Sequence, residues 1–277
     1  MMKPLGLIEG HYECRSLGDT LPIFTDLLAL EVVTKSAGRA VVKHPNTDWL
    51  LVVHEGGPDA PDKPMLNHYG VRVAERREVE VAWEHVTARK DAYGIRRVTK
   101  PGALHFAYSF YFEEPGGNYW EIEFYDHEAA GGRVAAKLPW SIPLPEARFP
   151  GKGYVPQAFS HGTLECDDKE ASTSFYRDVL GLEIAGAGRI SVHIKHPATP
   201  WYVVVLPAKK RHYLSPANRF TLKIASPEAV AEAHRSFSAS GGQLGITGLE
   251  PIREGEGGVS FLLSYLDRNW WEITADV

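Results

Sequence analysis

Cysteine is scarce in this sequence, with Cys14 and Cys166 as the two examples among 277 residues. Two cysteines are too few for a disulfide framework, which excludes the class of small cross-linked secreted domains. The chain also lacks any run of about 18 consecutive apolar residues, which a transmembrane helix needs. Its N-terminus does not show the basic-then-apolar pattern of a signal peptide. We therefore expect a cytoplasmic protein with no membrane partner.

An excess of positive charge is missing as well, because 30 basic residues face 35 acidic ones and the net charge is -5. Nucleic-acid-binding proteins normally carry a basic patch, so a nucleic-acid partner is not expected. What the chain does have is a hydrophobic share of 44%, which is enough for sizeable cores. Its length suggests about two domains. An enzyme or a binding protein is the general expectation.

Two parts of the chain repeat each other. The string KHPxTxW at residues 43–49 recurs at residues 195–201, at an offset of 195 − 43 = 152. Farther along, NxWE at residues 118–121 recurs at residues 269–272, at an offset of 269 − 118 = 151. Matches of this kind at a nearly constant offset indicate a duplicated domain.

The duplication divides the chain into halves at residues 1–126 and 153–277. The proline and glycine content of residues 127–152 predicts a linker between them. Hydrophobic periodicity predicts a strand, an amphipathic helix and then short strands, starting at residues 7–14 and again at residues 66–73. The second half shows the same order, so the pattern predicts four such units.

Local signals support these units. Leu17, Leu21 and Phe24 recur at helical spacing and would share one buried stripe. Ser226 followed by Pro227 is typical of a helix start, because serine caps the first turn and proline fits there. Four tryptophans recur at equivalent places in the halves, which favours a packing role for Trp49, Trp120, Trp201 and Trp271.

Residues 110–121, FYFEEPGGNYWE, indicate two strands joined by a tight turn, since proline fixes one torsion and glycine allows positive ones. Side chains alternate across a strand, so Glu121 lies on the face opposite that of Trp120. Burial of a carboxylate on that face costs free energy unless the carboxylate is hydrated, paired with a positive charge or bound to a metal. Glu121 is therefore the first candidate ligand.

The same string resembles the signature of the ring-cleaving extradiol dioxygenases, members of the vicinal-oxygen-chelate (glyoxalase-like) superfamily. Tyr111, the pair Glu114–Pro115, Gly117 and Glu121 match that signature. The signature also has a histidine ahead of the tyrosine, and His105 is the nearest counterpart, although it lies closer to Tyr111 than the family pattern usually allows. The resemblance implies an α+β fold of four βαβββ modules that form two cup-shaped mixed sheets.

The resemblance also implies where metal ligands lie, because the superfamily takes them from the first and last strands of its modules. If modules two and three share a cup, the set is His68, Glu121 and His161. If modules one and two share it, Glu9 is the alternative third ligand. Two histidines and one carboxylate suit Fe(II), with Mn(II) as the alternative.

The nested arrangement, with module two beside module three and module one beside module four, makes chemical sense for both cups. In the second cup it brings Glu9, Arg219 and Glu272 together. A guanidinium there would take the place of a metal and be paired by carboxylates. We prefer this arrangement, and the sequential pairing of modules stays open.

The resemblance implies roles for further side chains. Tyr111 matches the family tyrosine that hydrogen-bonds a substrate oxygen, and His105 would share its face. Under the nested pairing His212 fits the family acid–base histidine, whereas His54 takes that place under the sequential pairing. Tyr202 would lie beside the metal set and line the substrate pocket.

The implied function is extradiol ring cleavage of a catechol-type aromatic substrate by dioxygen, with a homo-oligomer left open. One alternative is a glyoxalase-like isomerase or lyase, in which a divalent metal stabilises an enediolate. Another is a metal-free protein that binds a small molecule in one cup. The fold does not decide among them, since it hosts all three.

Overall fold

The computed structural model describes residues 2–104, 107–126, 139–188, 190–199, 201–255 and 257–276. His105 lies outside these residues, and so does part of the predicted linker. No helix of the described chain is both long enough and apolar enough to cross a membrane.

The chain contains short helices and strands in a regular order. The helices are α1 Leu17–Leu27, α2 Arg76–Ala88, α3 Lys169–Ser174, which continues as a π-helical turn at Phe175–Val179, and α4 Pro227–Ser240, with a 3-10 turn at Glu146–Arg148. The strands are β1 Gly6–Cys14, β2 Glu31–Ser36, β3 Arg39–Lys43, β4 Leu50–Glu55, β5 His68–Arg72, β6 Arg97–Val98, β7 Gly102–Leu104, β8 Ala107–Glu113, β9 Tyr119–Tyr125, β10 Ala158–Cys166, β11 Glu183–Ala187, β12 Val192–Lys195, β13 Tyr202–Pro207, β14 Arg219–Lys223, β15 Gly248–Leu249, β16 Arg253–Gly255, β17 Gly258–Ser264 and β18 Trp270–Ala275.

These elements form four modules, each a strand, a helix and further strands. They start at β1, β5, β10 and β14, and the short strands β7 and β16 are additions to the second and fourth. Within the described residues the strands build two nine-stranded sheets, and each contains parallel and antiparallel pairs. The predicted α+β fold with mixed sheets is confirmed.

Spatial contacts divide the chain into two compact units. The central unit is Tyr12–Thr163, and the terminal unit comprises the residues up to His11 and from Leu164 onward. This division follows contacts in space, whereas the halves at 1–126 and 153–277 and the linker at 127–152 were defined by the repeat and stay a prediction.

In the central unit, part of one sheet has the strand order β10-β5-β9-β8-β6, with β7 beside β8. β5 runs parallel to β9 and antiparallel to β10. The register places His161 opposite Gly70, after an irregularity between Phe159 and His161. Because β5 opens module two and β10 opens module three, the nested pairing is confirmed here.

In the terminal unit the corresponding order is β15-β17-β18-β14-β1, with β16 beside β17. β14 runs parallel to β18 and antiparallel to β1, so module four pairs with module one. Thr221 lies opposite Glu9, after an irregularity between Leu7 and Glu9 that matches the one in the central unit.

The sequence signals for the core are confirmed. Leu17, Leu21 and Phe24 are buried on α1. The side chain of Ser226 accepts a hydrogen bond from the backbone of Ala229 and caps α4, with proline in the first turn. The repeated tryptophans are at most 1% exposed, namely Trp49, Trp120, Trp201 and Trp271. Both cysteines are buried thiols.

The turn between β8 and β9 is built around a buried carboxylate. Glu114 accepts hydrogen bonds from the Tyr12 hydroxyl (2.7 Å), the Thr20 hydroxyl (3.0 Å), the Gly116 backbone amide (2.6 Å) and the Asn118 side-chain amide (2.8 Å). The following glycine, Gly117, has a φ of 91°, as the turn requires. The acidic residue of the turn is therefore structural.

Replacing this carboxylate should destabilise the protein strongly. In Glu114→Ala several buried donors lose their acceptor, and each one left unsatisfied costs about 1–3 kcal/mol. We expect the free energy of unfolding to fall by at least about 3 kcal/mol. Urea titration followed by circular dichroism measures this change.

The matched control is Glu31→Ala, because Glu31 pairs with Arg148 where both side chains are exposed. Exposed ion pairs contribute about 0–1 kcal/mol, so this variant should unfold near the wild-type midpoint. Similar midpoints for the two variants would contradict the structural role of Glu114.

Candidate metal centre

His68, the first residue of β5, is held by backbone and hydroxyl groups. Its Nδ1 lies 2.6 Å from the carbonyl oxygen of Met65, and its backbone amide donates to the Thr163 hydroxyl at 2.7 Å. A carbonyl oxygen only accepts, so Nδ1 carries the proton and donates it. Nε2 then presents its lone pair, as in a histidine that binds metal.

His161 reaches the same point from β10. Its Nδ1 lies 2.9 Å from the Ser160 hydroxyl and 3.6 Å from Oε1 of Glu123. That carboxylate is held in turn by Arg72, whose Nη2 and Nε donate at 2.7 and 3.0 Å. Polar partners on the Nδ1 side leave Nε2 to face the cluster.

Glu121, on β9, completes the cluster. Its Oε2 lies 3.2 Å from Nε2 of His68 and 3.1 Å from Nε2 of His161, and the two Nε2 atoms are 3.1 Å apart. The three side chains are buried. The three donor atoms therefore form a nearly equilateral triangle in the interior of the central unit.

This triangle fits a divalent ion. In an octahedral site with bonds of about 2.1 Å, two ligand atoms at a right angle lie about 3.0 Å apart. The observed spacings of 3.1–3.2 Å are close to that value. Two histidines and one carboxylate on one face are the donor set of non-haem Fe(II) sites. The predicted set of His68, Glu121 and His161 is thus brought together.

The electrostatics of the cluster also favour a cation. Burial alone would raise the pKa of Glu121, but the neighbouring imidazoles of His161 and His68 lower that pKa well below the ordinary value. Burial alone would lower the pKa of His161, but the carboxylates of Glu123 and Glu121 raise it to about 9. In the absence of an ion, a proton on His161 therefore balances the buried negative charge.

Tyr111 is also part of this site. It lies opposite Glu121 in the β8–β9 register, and its ring centroid is 5.1 Å from that of His68. Burial, followed by the charge and hydrogen bond of Glu121, raises the pKa of its phenol. The hydroxyl therefore stays protonated and serves as a hydrogen-bond donor.

Two other candidates from the sequence, His212 and Tyr202, lie in the terminal unit. Nδ1 of His212 is 3.1 Å from Oε1 of Glu165, and the His212 side chain is 40% exposed. Tyr202 is buried and stacks on His193, with ring centroids 5.0 Å apart. The acid–base role of His212 and the pocket role of Tyr202 stay predictions, as does that of His105 outside the described residues.

The repeat places a second polar cluster in the terminal unit. Arg219 takes the position of His68, and its Nε donates to Oε2 of Glu272 at 2.8 Å. Nε2 of His11 lies 3.4 Å from Glu9 and 3.5 Å from Glu272. The predicted pairing of Arg219 with a carboxylate is confirmed, and Glu9 belongs to this cluster.

Several residues of these two clusters were not predicted from the sequence. His11 lies two positions after Glu9 on the same strand face, and that alternation was the available signal. Glu123 alternates with Glu121 in the same way. Arg72 lies in register with Glu123 across β5 and β9, a pairing that the sequence does not reveal.

Comparisons by sequence find no matching family model and no matching curated protein. Comparison of structures does find similar chains. A provisionally assigned dioxygenase from Bacillus subtilis aligns over 100% of this chain and 86% of its own, with a TM-score of 0.66 and 13% identity. Glyoxalase I from Zea mays aligns over 98% and 91%, with a TM-score of 0.64 and 13% identity. Its V278E variant aligns over 98% and 92%, with a TM-score of 0.67 and 12% identity.

The chain has the vicinal-oxygen-chelate fold. Similarity at 12–13% identity shows the fold alone. In this example of the vicinal-oxygen-chelate fold, His68 and His161 lie on the first strands of modules two and three, and Glu121 on the last strand of module two. The fold therefore explains how residues so far apart in the chain meet.

Loss of any of the three donors should abolish tight metal binding. His68→Ala, Glu121→Ala and His161→Ala each remove one of three ligands. Loss of an outer hydrogen-bond partner of a ligand lowers metal affinity by about 10- to 100-fold, and we expect loss of a ligand itself to lower it further. Anaerobic titration of metal-free protein with Fe(II) or Mn(II) measures this effect.

Glu9→Ala and Glu272→Ala are the matched controls, since their carboxylates lie in the cluster where Arg219 supplies the positive charge. Both should bind metal as the wild type does. Metal loss in either folded control, with retention in His161→Ala, would mean that the cluster has been assigned to the wrong module pair.

Metal affinity should also rise with pH up to about 9. The raised pKa of His161 means that the folded, metal-free protein holds a proton where the ion must bind. One proton then leaves for each ion bound, and affinity increases about tenfold per pH unit below that pKa. Titration at several pH values checks this slope, and a wild-type affinity independent of pH would contradict it.

Proposed function

We propose that this protein is a metal-dependent extradiol ring-cleavage dioxygenase that acts on a catechol-type aromatic substrate. The observation that carries the proposal is the triangle of His68, Glu121 and His161. Such a face leaves positions open for a bidentate substrate and for dioxygen, the arrangement typical of non-haem Fe(II) oxygenases. Fe(II) is the proposed metal, with Mn(II) as the alternative.

The comparisons support this proposal at the level of the fold. The Bacillus subtilis chain carries a provisional dioxygenase name and aligns along the full length of this chain. That name belongs to the Bacillus protein. For the present chain, the argument rests on its own donor set and on the resemblance of residues 110–121 to the extradiol signature.

In the proposed reaction, His68 and His161 each offer a neutral Nε2 and Glu121 supplies the negative charge. When bound, the ion supplies Lewis-acid and redox chemistry toward a diol and dioxygen. Tyr111 donates a hydrogen bond to a substrate oxygen, since the raised pKa keeps its hydroxyl protonated. The ring bond beside the diol breaks, and both atoms of dioxygen enter the product.

Proton transfer in this proposal is assigned to histidine. His212 is the proposed acid–base group, and the Glu165 carboxylate holds its Nδ1 at 3.1 Å. A carboxylate bonded to Nδ1 orients the imidazole and leaves Nε2 as the nitrogen that can exchange a proton with a substrate. For His105 and Tyr202 the proposal keeps the roles that the sequence suggested, a catalytic histidine and a pocket residue.

A glyoxalase-like isomerase is the second candidate, because glyoxalase I of Zea mays has a similar fold over 98% of this chain. In that reaction a divalent ion stabilises an enediolate and dioxygen takes no part. A metal-free binding protein is the third candidate. Metal content separates this last one from both enzymes.

Oxygen uptake separates the two enzymes. Protein loaded with Fe(II) should consume one dioxygen for each ring opened with at least one member of a catechol panel, as measured with an oxygen electrode and product absorbance. The glyoxalase candidate instead requires isomerisation of a hemithioacetal without oxygen uptake. Metal-loaded protein that is inactive toward every catechol but active in that assay would refute the dioxygenase proposal.

Tyr111→Phe tests the hydrogen-bond role. Removal of the hydroxyl should lower kcat by about 100-fold. This is the lower end of the rate effect that a positioned proton donor or acceptor typically contributes. Because the phenol also hydrogen-bonds the Glu121 carboxylate, metal affinity is measured in the same variant and kcat is compared at saturating metal. Tyr108→Phe is the matched control, since the Tyr108 hydroxyl bonds Glu80 on α2. Equal activity in both variants would remove Tyr111 from the mechanism.

A further inference from the structure

The duplication provides a comparison within one chain. Features that serve the fold recur in both halves, such as the buried carboxylate at each hairpin turn. Glu114 accepts from the Thr20 hydroxyl in the central unit, and Asp267 accepts from the Ser172 hydroxyl in the terminal unit. Asn118 and Asn269 each donate to a backbone carbonyl at equivalent places. Recurrence therefore marks residues that the fold itself needs.

The side chains around His161 do not recur. In the terminal unit a different residue stands at each repeated position: Thr221 for Gly70, Lys223 for Arg72, Thr274 for Glu123 and Ile8 for Ser160. There Lys223 pairs with Asp276, and the Thr274 hydroxyl donates to the carbonyl of Val259. The terminal unit thus folds without this set, which occurs in the central unit together with the candidate metal centre.

Gly70 provides the space that the His161 ring occupies. A Cβ at this position would lie 2.5 Å from Cε1 and 2.8 Å from Nδ1 of His161, and 2.9 Å from the Ser160 hydroxyl. Non-bonded carbon atoms do not approach so closely, since their optimal separation is about 3.5–4.0 Å. Any larger residue would therefore displace the imidazole.

The Arg72–Glu123 ion pair lies near the Nδ1 atom of the same ring. Both side chains are almost fully buried, at 1% and 3% exposure. Burial of an ion pair is costly, and an apolar pair of similar size often stabilises a fold as well or better. Oε1 of Glu123 lies 3.6 Å from Nδ1 of His161. The pair therefore places a carboxylate next to Nδ1 of His161, which an apolar pair would not do.

We propose that Gly70 and the buried Arg72–Glu123 ion pair are positioning residues for His161. Gly70 admits the imidazole against β5, and Glu123, held by Arg72, keeps Nδ1 turned away from the cluster so that Nε2 faces His68 and Glu121. This inference rests on the proposed function, since it requires that the cluster bind a metal. It deepens the proposal by naming what holds one ligand in place.

The test uses Co(II) binding to the full-length, metal-free protein. Co(II) accepts nitrogen and oxygen donors, and its visible absorption reports the geometry of its ligands. Gly70→Ala and Glu123→Gln should each weaken Co(II) binding by about 10- to 100-fold, as loss of outer partners of a ligating histidine does. Both should also shift the Co(II) absorption bands, which a purely structural role would not do.

Glu123→Gln leaves the Arg72 charge buried without its partner, which could destabilise the fold by itself. A second variant is therefore measured beside it. Glu123→Gln combined with Arg72→Met removes both charges and avoids this stranded cation. Gly186→Ala is the matched control for Gly70→Ala, because its Cβ would meet Nδ1 of His193 at 3.7 Å, an ordinary contact. Thr274→Val is the matched control for Glu123→Gln, because Thr274 stands at the repeated position of Glu123 in the terminal unit.

The outcomes separate the two proposals. Weakened binding and shifted bands in Gly70→Ala and in the charge-free double variant, with both controls unchanged, would support the positioning role. Wild-type affinity and spectrum in both variants would overturn it and leave the metal site intact. Absence of Co(II) binding in the wild type would overturn the proposed function and this inference together.

Discussion

A carboxylate buried in a protein needs a compensating positive charge, and the central unit is arranged around that requirement at Glu121. Two imidazole nitrogens lie 3.1–3.2 Å from its oxygen. They reach it because β5 is parallel to β9 on one side and antiparallel to β10 on the other. A proton on His161 or a divalent ion satisfies the same charge balance. The geometry and the charge of this cluster therefore both favour a cation.

The terminal unit meets the same requirement differently. Glu272 stands at the repeated position of Glu121, and the Arg219 guanidinium neutralises it at 2.8 Å. Burial alone would raise the pKa of Glu272, but Arg219 and His11 lower it. A fixed guanidinium disfavours a second cation, because Arg remains charged at any ordinary pH. Of the two repeated carboxylates, Glu121 therefore belongs to the candidate metal centre and Glu272 belongs to a permanent ion pair.

Two acidic residues in one hairpin illustrate how surroundings determine a role. Glu114 and Glu121 are both buried. Glu114 is surrounded by hydroxyl and amide donors that satisfy it with hydrogen bonds. Glu121 instead faces imidazole nitrogens that also bind metals. The difference lies in the partners supplied by other strands, and it makes one residue part of the turn and the other part of the site.

The sequence by itself determined the modules and the candidate wall of the site. Side-chain alternation placed Glu121 on the strand face opposite that of Trp120. The repeat predicted two halves, and hydrophobic periodicity predicted two modules in each. These signals are local or periodic, so they can be recognised without knowledge of tertiary contacts. The extradiol resemblance added the candidate ligands. Only the tertiary structure decided that His161 joins His68, a residue 93 positions away. That meeting depends on which strands pair and on an irregularity that shifts the register beside Gly70. A shift of one residue reverses the face of every side chain, and local patterns do not specify it.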